Sequence, residues 1–358
     1  MNHSIQNRRI IIMNNPYTLT FGKDPEERIP RTSDGEKILN DFLAEKPSQQ
    51  VCVITGVRGS GKTVFMTDLC NELQKRKEWV AVDLNINSAD MIRQAAAILC
   101  SNDKFARVFQ SAKLNLSLFG FGLEVSSSVP IADIETALIR MIESLSKKGK
   151  RIIFSIDEAA RTESMVAFAS CFQQMLRRKL PVFLLMTGLY QNIYDLQNHQ
   201  SLTFLYRAPR ISLSPLNLGA IALNYQSNLS LPADTAREMA KLTMGYSFAF
   251  QVLGYLLWNM KGDYTDLIPQ YRQYLEERSY EKIWEELSEK DRKLVIAIAE
   301  SEDGNIAQIR KNAGMTSNEF SPYRIRLIRK GIADGSVRGK LNFCLPFFRD
   351  YVLENFAD

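Results

Sequence analysis

Residues 51–63 read VCVITGVRGSGKT, and the rest of the chain takes its meaning from them. A short β-branched, apolar run, Val51 to Ile54, enters Gly56; four loop residues follow, then Gly61-Lys62-Thr63. This is the G-x-x-x-x-G-K-[ST] pattern of a phosphate-binding loop, set after a strand and before a helix as the chemistry requires. The glycines at 56, 59 and 61 let successive backbone N–H groups point into one concavity. The helix that starts near Gly61 adds its positive dipole end to the same place. The expected nucleotide cradle is therefore Gly56, Val57, Arg58, Gly59, Ser60, Gly61, Lys62, Thr63 and Val64. Lys62 would reach the β- and γ-phosphates, and the Thr63 hydroxyl would ligate Mg²⁺. The plainer alternative is a glycine-rich turn with a chance lysine. Against it stand the strand before and, after, a helix over Thr63–Lys75 that is apolar at Val64, Phe65, Leu69 and Leu73.

Downstream, WVAVDLN (79–85) reads as a second strand and Met91–Leu99 as a helix. In LNLSLFGFGLEVSS (114–127), Leu114, Leu116 and Leu118 alternate with polar residues, as do Leu123 and Val125, around Gly120 and Gly122. That pattern predicts an inserted β-hairpin, either an edge ornament or a surface for a protein partner. An amphipathic helix over Ile131–Leu145 leads to IIFSIDEAAR (152–161), a buried strand delivering Asp157-Glu158 at its carboxyl end. About 100 residues after a phosphate loop, such a pair divides the labour: Asp157 holds Mg²⁺ through water, and the catalytic Glu158 orients the attacking water. The bland reading is a solvated pair at a strand end. PVFLLMTGL (181–189) is a further buried strand ending in Thr187, which would sit beside Asp157. A fifth strand is expected over Arg210–Ser214. Strands alternating with helices give a doubly wound, five-stranded parallel α/β sheet with its ligand at the carboxyl ends of the strands.

Upstream, NNPYTLTFGKDPEERIPR (14–31) precedes a helix over Asp34–Leu43. Tyr17, Phe21 and Pro30 either cover the adenine or belong to a packing arm. Composition is that of a soluble globular protein: 358 residues, 45% hydrophobic, 24% charged, net charge +5. No run reaches the length of a membrane span, and the IIIM near the start is too short for a signal peptide. Five scattered cysteines fit reduced thiols in a cytoplasmic protein, and two histidines argue against a histidine metal site or a Ser-His-Asp triad.

Residues 1–217 thus read as the nucleotide domain, and 218–280 as a helical lid whose most apolar part is GYSFAFQVLGYLLW (245–258). Residues 281–358 give a helix capped by Ser288 and Asp291, helices over Asn305–Ala313 and Ser317–Lys330, and two short strands around a glycine-rich turn. That order is a winged helix. Pro322 requires either that Ser321 caps a helix starting there or that the first turn is kinked. Between Asn305 and Lys340 eight basic and two acidic residues make a net +6. Arg324, Arg326, Arg329, Arg338 and Lys340 are the candidate contacts to duplex DNA. A winged helix also serves for docking: arginines turned toward the core favour that use, and arginines lining an open face favour DNA.

GVRGSGKT, IIFSIDEAAR, a strand-end MTGL, the GYSFAFQ helix and the C-terminal winged helix together resemble the prokaryotic AAA+/STAND-type ATPases. Within these the similarity is to archaeal-type ATPases related to the origin-recognition and initiator clade, and NPYTLTFG looks like their opening segment. The resemblance implies ATP or ADP with Mg²⁺ as cofactors, phosphate and metal roles for Lys62 and Thr63, metal and water roles for Asp157 and Glu158, and a γ-phosphate sensor at Thr187. It also implies that Arg207 either completes a neighbour's or its own catalytic site or is a plain surface arginine. Two departures stand out. Gly245-Tyr246-Ser247-Phe248 lacks the Gly-x-Pro or nearby arginine with which such lids meet the nucleotide, and Ala159-Ala160 follow the acidic pair where relatives often have polar residues. The first leaves vigorous hydrolysis and a slow, ADP-holding switch both open.

Overall fold

The computed structural model describes residues 14–20, 25–122, 125 and 129–357. Five strands form one parallel sheet: β1 (Val51–Thr55), β2 (Trp79–Leu84), β3 (Arg151–Ile156), β4 (Val182–Gly188) and β5 (Arg210–Ser212), in the order β2-β3-β4-β1-β5. β1 and β4 are buried along their whole length, which is why their sequences are continuous apolar runs rather than alternating ones. Alternate side chains divide between two cores. Val51 and Val53 face the helices Met91–Cys100, Ile134–Ser146 and Glu163–Arg177, whereas Cys52 and Ile54 face Thr32–Leu43 and Lys62–Gln74. The register Ile54↔Thr187 and Ile156↔Met186 brings the carboxyl ends of β1, β3 and β4 level.

A third core runs from Leu216 to Val352, joined by Tyr17 and Val57, and holds the helices Leu218–Leu229, Ala233–Leu242 and Ser247–Met260 together with the C-terminal elements. One long helix threads it: Ile268–Leu275, a π turn at Glu276–Tyr280, then Glu281–Glu285. Ser279 and Tyr280 in that turn are buried. Beyond it lie the helices Glu289–Glu300, Ile306–Asn312 and Ser317–Lys330, the antiparallel pair β6 (Ala333–Asp334) and β7 (Asn342–Phe343), and a last helix Phe348–Phe356. Ser288 and Asp291 form the expected capping box. Thr316 and Glu319 form a second one, so the helix containing Pro322 is started by Thr316 and not by Ser321.

One expectation is corrected, and one open alternative is decided. The described residues of 114–127 form no strand: Ser117–Phe119 is a single 3₁₀ turn, and residues 123–124 and 126–127 lie outside those described. Leu114, Leu116 and Phe119 are buried against the helices below, but Leu118 is 61% exposed, so the apolar alternation stops where a strand would need it. The buried Asn115 closes the loop instead, accepting from the Ser117 N–H while its carbonyl accepts from Ile131. Tyr17 belongs to a packing arm, the second of its two readings: it packs on Tyr225 and Phe250, donates to Asn224 and does not line the cavity described below. Phe21 lies outside the described residues. No described helix is long and apolar enough to cross a membrane.

Candidate functional site

A cavity of about 300 Å³ opens at the carboxyl ends of β1, β3 and β4. Its lining includes Gly59, Gly61, Lys62, Thr63, Val64, Asp157, Glu158 and Gly188. The loop that makes its floor needs glycine for a stated reason. Gly59 and Gly61 have φ of +74° and +86°, and a Cβ on Gly59 would come within 3.0 Å of Phe248 Cβ and overlap the Tyr246 hydroxyl. Helix Lys62–Gln74 starts straight out of Gly61 and directs its first N–H groups at the loop. Lys62 folds back, its Nζ donating to the carbonyls of Gly56 (3.2 Å) and Val57 (3.0 Å).

The acidic strand end closes the opposite wall. Thr63 Oγ1 donates to Asp157 Oδ2 at 2.7 Å, and the Thr187 hydroxyl donates to Asp157 Oδ1. Thr63, Asp157 and Thr187, from three separate elements, therefore meet at one carboxylate. Glu158 is exposed to the cavity, and its backbone is held at φ +52°, a left-handed conformation that glutamate rarely adopts. The turn is pinned by the Glu158 N–H, which donates to Asp157 Oδ1 and Thr187 Oγ1, and by the Ala159 N–H, which donates to the Thr187 carbonyl at 2.8 Å. Asp157 thus turns toward Thr63, and Glu158 joins that network through its backbone N–H but not through its carboxylate. Thr63 and Asp157 offer two adjacent oxygens, the sparse set that suits Mg²⁺, which keeps most of its ligands as waters or phosphate oxygens.

Burial pushes the Lys62 ammonium down from 10.5 to about 8; Asp157 opposes the shift and the nearby Arg58 adds to it. Below pH 8 the lysine is charged in both the folded and the unfolded chain, so folding carries the full cost of burying it. Between pH 8 and 10.5 the folded form loses its proton first and that cost fades. The ligand-free protein is expected to gain stability from this group across that window, and Lys62→Met to lack the gain. Urea titrations of both proteins at several pH values measure the difference, and parallel profiles would refute it.

Several contacts have no counterpart in the sequence reading. Arg31, immediately before helix Thr32–Leu43, donates to the Ser60 carbonyl (2.9 Å) and to Ser247 Oγ (3.1 Å), bridging the phosphate loop and the lid. Ser247 Oγ itself donates to Ser60, and the Phe248 N–H donates to the Gly59 carbonyl at 3.0 Å. The lid helix therefore presses its first turn on the loop, using Tyr-Ser-Phe where an arginine was sought. The Tyr246 hydroxyl donates to the Arg58 carbonyl (2.6 Å) and lies 2.6 Å from Ser279 Oγ, so Ser279 is left to donate to it. At the outer end, Pro25, Ile29 and Gln251 line the cavity in place of Tyr17 and Pro30. Only the Gly-Tyr-Ser-Phe start of an apolar helix signalled the lid contact, and nothing local signalled Arg31. Arg207 is exposed at the end of the 3₁₀ segment Gln200–Arg207 and does not line the cavity.

The C-terminal module also reaches this loop. Arg58 Nη2 lies 2.8 Å from Glu286 Oε1, and the Gly331 backbone abuts Val57 closely enough that a Cβ would stand 3.3 Å from the Val57 nitrogen. Of the basic residues singled out above, Arg326 binds the buried Asp291, Lys340 binds Asp303, and Arg329 donates to the Tyr190 hydroxyl at 3.1 Å. Arg324 is half-buried beside Gly335, and Arg338 is exposed.

Residues 277–352 match a family described only as a domain of unknown function (DUF8462). No curated protein matches the chain in sequence. Among solved structures the chain is similar to a Walker-type ATPase of Pyrococcus abyssi, at 15% identity over 91% of this chain and 96% of that one, with a TM-score of 0.60. It is also similar to the ORC2 protein of Aeropyrum pernix in ADPNP–ADP complexes, at 13% identity over 94% and 95%, with a TM-score of 0.58. The fold is thus that of origin-recognition and Walker-type P-loop ATPases.

Proposed function

We propose that the chain is a Mg²⁺-dependent ATPase of the AAA+ kind that couples the state of its phosphate loop to a C-terminal winged helix. The observation that carries this reading is the convergence of Lys62, Thr63, Asp157 and Glu158 on one cavity, with the buried Thr187 holding the Asp157 carboxylate from beneath its wall. The cradle Gly56–Val64 would hold the phosphates through backbone N–H groups and Lys62. Lys62 would trade its bonds to the Gly56 and Val57 carbonyls for phosphate oxygens. When bound, Mg²⁺ would supply charge neutralisation for the leaving phosphates from the Thr63–Asp157 side. The Glu158 carboxylate, outside the Asp157 network, is the group left to orient a water, and Thr187, fully buried and donating to Asp157 Oδ1, would hold that carboxylate in place. ORC2 of Aeropyrum pernix, which shares the fold, holds ADPNP and ADP, and this supports ATP and ADP as the ligands of the present cavity.

For the winged helix the geometry supports docking on the core. Val57–Gly331, Arg58–Glu286 and Tyr190–Arg329 tie it to the loop and to helix Tyr190–Gln197. Duplex DNA is the second reading, supported by the net +6 over 305–340 and by the exposed Arg338 between β6 and β7.

Titration of wild type and Lys62→Ala with Mg²⁺-ATP tests the first part. The variant is expected to lose at least about 100-fold in affinity, two charge-assisted contacts' worth, and equal affinities would refute the cradle. Gel shifts on a duplex at about 50 and 200 mM salt test the second. A shift that weakens steeply with salt supports DNA contact, and none at either salt leaves docking as the role of the module.

A further inference from the structure

We infer that Arg58 is a second phosphate-binding cation of this cavity, held by Glu286 until a nucleoside triphosphate draws it away, so that the γ-phosphate is read by breaking the loop's ion pair to the C-terminal module. The inference rests on the nucleotide reading above and adds to it a residue that distinguishes triphosphate from diphosphate.

Arg58 lines two adjoining cavities. One is the site cavity; the other, about 240 Å³, lies between Gly56–Arg58, Leu189–Asn192 and the C-terminal residues Ile283, Glu286, Leu287, Lys330 and Ile332. Its guanidinium therefore stands at the boundary between the site and the module. Both of its engaged nitrogens, Nε at 3.2 Å and Nη2 at 2.8 Å, give their protons to the single oxygen Glu286 Oε1. This is not the two-oxygen fork that makes an arginine–carboxylate pair strong. Each side chain keeps about a third of its exposure, 35% for Arg58 and 33% for Glu286, so the pair is screened and weak.

Arg58 and Lys62 both line the site cavity, so the two cations face the same space. A triphosphate brings negative charge there and offers two oxygens to the arginine fork. A diphosphate ends one phosphate short. The Arg58 carbonyl, meanwhile, is fixed by Tyr246, so the side chain can swing without moving the loop.

A ligand shifts this equilibrium only by its differential affinity for the two arrangements, which sets what to measure. Affinities for ADP and a non-hydrolysable ATP analogue are compared in wild type, Arg58→Ala, Arg58→Lys and Glu286→Gln. Arg58→Ala is expected to cut the preference for the analogue over ADP by roughly 10- to 100-fold, with ADP affinity within about threefold of wild type. Arg58→Lys recovers part of the preference. Glu286→Gln moves the opposite way, binding the analogue several-fold more tightly. Hydrogen exchange at 283–287 and 330–332 should rise with the analogue but not with ADP, and should already be raised in nucleotide-free Glu286→Gln. Equal losses for both nucleotides in Arg58→Ala, or unchanged analogue binding in Glu286→Gln, would overturn the inference alone. If wild type binds neither nucleotide, the nucleotide reading falls and this inference with it.

Discussion

Glu158→Gln is expected to lower ATP turnover by about 10²–10⁴-fold while leaving Mg²⁺-ATP affinity within about threefold of wild type. The split follows from the geometry. Asp157 carries the bonds from Thr63 and Thr187, whereas the Glu158 carboxylate takes no part in them and faces the cavity. Glutamine keeps the shape and the left-handed backbone turn but cannot polarise a water. Asp157→Asn should behave differently, losing metal-dependent binding as well as turnover, because it disturbs the carboxylate shared by three elements. Single-turnover hydrolysis and binding titrations on the two variants separate the roles. Undiminished hydrolysis in Glu158→Gln would mean that another group orients the water.

Asp291→Ala is expected to destabilise the protein by about 2–4 kcal/mol. Asp291 is 1% exposed and holds Arg326 (2.6 Å), Lys330 (3.3 Å) and the Ser288 hydroxyl (2.9 Å). Removing it leaves two cations without their buried counter-charge and opens the cap of helix Glu289–Glu300. Asp291→Asn keeps the capping geometry but not the charge, and should fall between. Because the lid and the C-terminal elements share one core, chemical denaturation should show the loss in the lid as well. An Asp291→Ala protein as stable as wild type would show that Arg326 and Lys330 find full compensation in water.

The apolar strands, the phosphate loop and the acidic strand end were legible because each is a local signal. Val51–Thr55 and Val182–Gly188 are buried along their whole length, and each is a short apolar run that ends at a glycine, Gly56 and Gly188. The hairpin reading failed for a physical reason: alternate leucines pack a loop as well as a strand, and Asn115 decided between them by closing a turn. Arg31 was out of reach because its partner Ser247 lies 216 positions away. The basic stretch counts charge without all of its partners. Asp291 and Asp303, which bind Arg326 and Lys340, fall outside the span that was counted.

The π turn at Glu276–Tyr280 has a consequence of its own. An α-helix advances about 100° per residue, and a π turn accommodates one residue more than the regular spiral, so everything after it is set back by about that angle. Glu286 and the whole C-terminal module therefore meet the phosphate loop with a phase set by one surplus residue. Ser279, inside that turn, is hydrogen-bonded through Tyr246 to the loop carbonyl of Arg58. The helix works as a gear with an extra tooth: straightening the turn would rotate the module off the loop without breaking the helix.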